Sequence, residues 1–61
     1  MFDKVRLDAL FAELDNEWRG SADFDRLSRD AHLGIALSDA GRSLEDRIDP
    51  RVVALIDKHK P

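Results

Sequence analysis

Cysteine and tyrosine are missing from this 61-residue chain, and it holds one tryptophan, three glycines and two prolines. Without cysteine there is neither a disulfide nor a thiolate metal site, the usual staples of so small a fold. A zinc-held fold would have to rely on His32, His59 and carboxylates alone. Basic residues are not in excess: ten Lys and Arg stand against thirteen Asp and Glu, a formal net charge of −3. The basic footprint of a nucleic-acid binder is therefore absent from the composition. No apolar run approaches the roughly 20 residues of a membrane span, and the first residues hold no basic stretch followed by an apolar one. These features favour a soluble, intracellular and specifically cytoplasmic protein, with no membrane partner.

What is present is helical spacing. Leu7, Leu10, Phe11, Leu14 and Trp18 recur at i, i+3, i+4, i+7 and i+11, one apolar stripe of a helix over about residues 3–19. Gly20 stands where a helix end needs a residue free to turn left-handed. The opposite side of this helix carries Phe2, Val5, Ala9 and Ala12, a second and weaker apolar surface.

A second helix is predicted over about 22–40, with Ser21 or Asp23 as its cap. Phe24, Leu27, Ala31, Gly34, Ile35 and Ser38 form its main stripe. Leu33, Ala36, Leu37 and Ala40 add apolar surface on the far side near its end, so that end is expected to be buried all round and the helix to be the central element. A glycine inside a helix costs up to about 1 kcal/mol against alanine. Gly34 therefore predicts a close approach of another helix over the Ala31–Gly34–Ser38 groove.

Gly41 ends the second helix. Ser43, with Asp46 three residues on, has the pattern of a capping box and predicts a short helix over 44–48. Asp49-Pro50 is a second start signal, an Asp cap before a proline at the first helical position. The last helix, about 50–59, presents Val52, Leu55 and Ile56, with Leu44 and Ile48 roughly in phase. The expected fold is all-α, one domain over residues 1–61: a small three-helix bundle with a short extra helical turn before the last helix, possible to complete by dimerisation.

No residue set reads as catalytic, cofactor-binding or metal-binding. Asp30 and His32 are two apart, and residues so spaced on a helix do not face each other. His32 is thus expected as a half-exposed surface histidine. His59, on the Val52/Leu55/Ile56 side, should complete packing or favour the helix end as a cation. Glu13 and Glu17 lie four apart, but no Glu-x-x-His motif accompanies them, as a metal site in a helical bundle would require. Glu13, Asp15 and Glu17 crowd the C-terminal half of the first helix, where the helix dipole disfavours anions. That cost suggests a patch offered to a basic partner. Trp18 and Phe11 read as core aromatics.

Residues 27–35, Leu-Ser-Arg-Asp-Ala-His-Leu-Gly-Ile, resemble helix-turn-helix proteins, in which a Leu-Gly-Ile turn precedes the recognition helix. The resemblance implies a small dimeric DNA-binding regulator. The chain departs from the pattern at Asp30, where a small residue is expected, and residues 36–42 are short and poorly charged for reading a groove. Gly41-Arg42-Ser43-Leu44-Glu45 is similar to the Asp-Ser-Leu attachment turn of acyl carrier proteins, but Arg42 replaces the aspartate, and Ser43 reads instead as a helix cap.

Two helices apolar on both sides are more than one short chain readily covers. The leading expectation is therefore a non-enzymatic interaction protein, a regulator, inhibitor or accessory subunit, and a homo-oligomer. Phe2, Val5, Ala9 and Ala12 would form its association face, with Glu13, Asp15 and Glu17 steering a basic partner.

Overall fold

The computed structural model covers residues 1–61 and holds three helices: α1 (Lys4–Trp18), α2 (Phe24–Asp39) and α3 (Pro50–His59). Each boundary falls within two residues of its predicted place. At α1 the Asp3 carboxylate accepts the Arg6 backbone N–H at 2.9 Å, satisfying one of the orphan donors of the first turn. Gly20, at φ +87°, turns the chain away after its last residue.

At the start of α2, Asp23 occupies the cap position without a side-chain cap bond. Ser21 Oγ instead accepts the Asp23 N–H at 3.2 Å. Gly41, at φ +73°, closes the other end, where the Arg42 N–H bonds Leu37 O at 2.9 Å and the Gly41 N–H bonds Ser38 O at 3.0 Å. Those two bonds across a left-handed glycine satisfy carbonyls that the helix leaves open.

The short segment 44–48 is a single turn rather than a helix. Ile48 N–H reaches Leu44 O at 3.0 Å, and no side-chain bond from Ser43 or Asp46 caps it. One turn fixes several dihedrals for very few bonds, so five residues before an Asp-Pro break cannot propagate further. Asp49 then caps α3 through the Arg51 N–H at 2.9 Å, with Pro50 at the first helical position.

The core is built from Leu10 and Leu14 of α1, Leu27, Ala31 and Leu37 of α2, and Ile48, Val52, Leu55 and Ile56 of the last segment, with Phe2 closing one end. Leu7, Phe11, Trp18, Phe24, Ile35, Leu44 and Val53 pack around it. The first-helix and last-helix stripes thus face inward as their spacing predicts.

The centre of the fold is α3, not α2. Its backbone packs closely against both other helices, whereas α1 and α2 approach one another less. Their link runs instead through long side chains, such as the rings of Phe11 and His32 at a centroid distance of 4.7 Å. Nor is the end of α2 buried all round. Leu37 is buried, but Leu33 is 49% exposed and Ala36 and Ala40 are exposed too. The reason is size: the molecule measures 31 × 27 × 15 Å, and in its thin direction nothing remains to cover the outer sides of α1 and α2.

Gly34 does what its cost implies. A Cβ placed there would run into Ile56 Cδ1, with two Ile48 carbons at 3.7 Å. The missing side chain is the space that lets the last segment seat on α2. Residues 33–35 lie inside the unbroken helix Phe24–Asp39. The Leu-Gly-Ile turn that a helix-turn-helix resemblance requires is therefore not formed.

Candidate functional site

On α1 the core stripe and the outer stripe lie on opposite sides of one cylinder. Leu10 and Leu14 point inward, so Val5, Ala9, Ala12 and Asn16 point away from every other element, and all four are exposed. Val5, in the first turn, is 78% exposed.

Phe2 does not join this face. It is only 9% exposed, and its N–H donates to Asp39 Oδ1 at 3.0 Å. Residue 2 precedes the Asp3 cap, where the backbone is extended, so the helical period that grouped Phe2 with Val5 does not extend to it. The side chain joins the core cluster instead.

Of the three acids expected to steer a partner, Glu13 is committed within the chain. Its Oε1 accepts Lys58 Nζ at 2.8 Å and faces His59 Nε2 at 2.9 Å, tying α1 to the last turn of α3. The bond from Lys58, then that from His59, holds the Glu13 carboxyl below its usual range, and Glu13 in turn raises Lys58. His59 is half-buried, with its Nε2 on the Glu13 carboxylate. Asp15 pairs with Arg19 at 2.9 Å, an exposed contact within one helix. Glu17 is exposed and has no ion pair.

His32 lies exposed, with Nδ1 2.8 Å from Ser28 O and its ring against Phe11. Its contacts are those of a surface residue, and Asp30 faces elsewhere, accepting the Asp49 N–H at 3.1 Å.

A charge cluster that sequence reasoning missed joins the starts of α2 and α3. Arg51 places Nε and Nη2 on the two oxygens of Asp49 at 3.0 and 2.9 Å, a bidentate pair, and Nη2 also reaches Asp23 at 3.3 Å. Arg26 adds a contact to Asp49 at 3.2 Å. The Arg51 side chain and then its backbone N–H pull the Asp49 carboxyl down to about 2, and Asp49 raises Arg51 in return. Both oxygens of Asp49 and one of Asp23 are occupied by partners from the chain itself, which makes the cluster a joint between helices. The one available signal was Asp49 at a cap with Arg51 two residues on; pairing with residues 23 and 26 depends on the tertiary fold.

An open cleft of about 350 Å³ lies between the 41–45 loop and α3, lined among others by Arg42, Ser43, Leu44, Val53, Asp57 and Lys60. It mixes both charge signs and two half-buried apolar side chains, with no convergent set of donors for one ligand. No group of three or more His, Asp or Glu side chains is placed to hold a metal ion. No helix is long and apolar enough to cross a membrane.

No protein-family model matches this chain, and comparison with curated proteins and with solved structures finds no match either.

Proposed function

We propose that this chain is a non-enzymatic interaction module, a small regulator, inhibitor or accessory subunit that binds another protein through the outer face of α1. The observation that carries this reading is the position of Val5, Ala9 and Ala12, exposed on the side of α1 that faces away from the core. A valine left in water forgoes burial worth on the order of 1.5 kcal/mol, and a partner's surface recovers it. Exposed single apolar residues are ordinary on any protein. Three in register along one rigid helix, beside a locally acidic end at Asp15 and Glu17, are the material of a helix-in-groove or helix-on-helix contact. Glu13 contributes by fixing α1 to α3, which presents the face on a rigid support.

The experiment is affinity capture from the native host with the full chain and with a Val5→Glu/Ala9→Glu variant, each confirmed folded by circular dichroism. The reading expects a protein bound by the first and lost by the second. Identical capture by both baits places the binding surface elsewhere.

A further inference from the structure

We draw no further inference here: the strongest candidate, the cleft of about 260 Å³ lined by Arg42, Ser43, Asp46 and Arg47 beside the turn at 44–48, holds charges of both signs and no buried polar group that points to a ligand.

Discussion

Helices α1 and α3 follow opposite rules in the same small molecule. α3 has an Asp cap, a proline at its first position, Lys58 and His59 in its last turn, and its large apolar residues Val52, Leu55 and Ile56 buried between two neighbours. Cap, last-turn cations and packing agree, and the two charges set against the dipole, Arg51 near its start and Asp57 near its end, are each paired within the chain. α1 agrees with its surroundings on one side only. Its inner stripe is buried, but Val5, Ala9 and Ala12 face outward, and Lys4, Arg6 and Asp15 stand against the dipole, each held by a neighbour, Asp8, Asp3 and Arg19. Where all levels of a sequence point to one structure, the element serves the fold; where apolar side chains are left outside the core, function is a natural place to look for the reason. The difference sets α3 at the centre of the core and α1 at its edge, in keeping with the proposal that the outer face of α1 binds a partner.

The sharpest way to break that assignment is to cut into α3. Ile56 is fully buried and seats against Gly34. Ile56→Ala should cost about 2–5 kcal/mol in urea unfolding. A 61-residue domain holds only roughly 3–9 kcal/mol in total, so the variant should be largely or wholly unfolded at 25 °C. A loss under 1 kcal/mol would mean that α3 is not the centre of the core.

The next effect sharpens the comparison at the start of α3. Asp49 holds both the cap and the Arg51 and Arg26 contacts, and its carboxyl lies at about 2, below the ordinary 3.8. A depressed acid stabilises the fold above its unfolded value, and that contribution fades as pH falls from about 4 to about 2. Asp49→Ala should cost about 1–2 kcal/mol at pH 7 through the lost cap. It should also flatten the stability decline between pH 4 and pH 2, measured by urea melts across that range. An acid limb identical to that of the parent chain would show that Asp49 is not what joins α2 to α3.

Much of this was legible beforehand, for reasons that are local. The inner stripe of α1, the Asp49-Pro50 start, the glycine ends at 20 and 41, and the close approach at Gly34 all follow from spacing and side-chain chemistry within a few residues. What was not legible depends on the tertiary arrangement. Phe2 joined the core because it lies before the cap, beyond the reach of helical period. The far side of α2 stayed open because a thin three-helix arrangement has no fourth element to lay on Leu33 and Ala36. Glu13 met Lys58 and His59 across 45 positions of sequence, and no local pattern encodes such a meeting. The centrality of α3 was hidden by its length: ten residues look minor until both neighbours prove to pack on them.

The smallest effect on the fold is also the one that bears most directly on α1. Val5 is 78% exposed, so replacing it removes almost no buried surface. Surface changes of this kind stay within about 0.5 kcal/mol. Val5→Glu also puts an anion in the first turn of α1, where the dipole favours it by a few tenths of a kcal/mol, and beside Arg6 and Lys4. The melting temperature should therefore hold or rise slightly, while capture of the proposed partner protein is lost. That combination separates the part α1 plays in the core from the recognition proposed for its outer face. If Val5→Glu instead destabilises the monomer by more than about 1 kcal/mol, the outer stripe is supporting the fold, and α1 differs from α3 in degree rather than in kind.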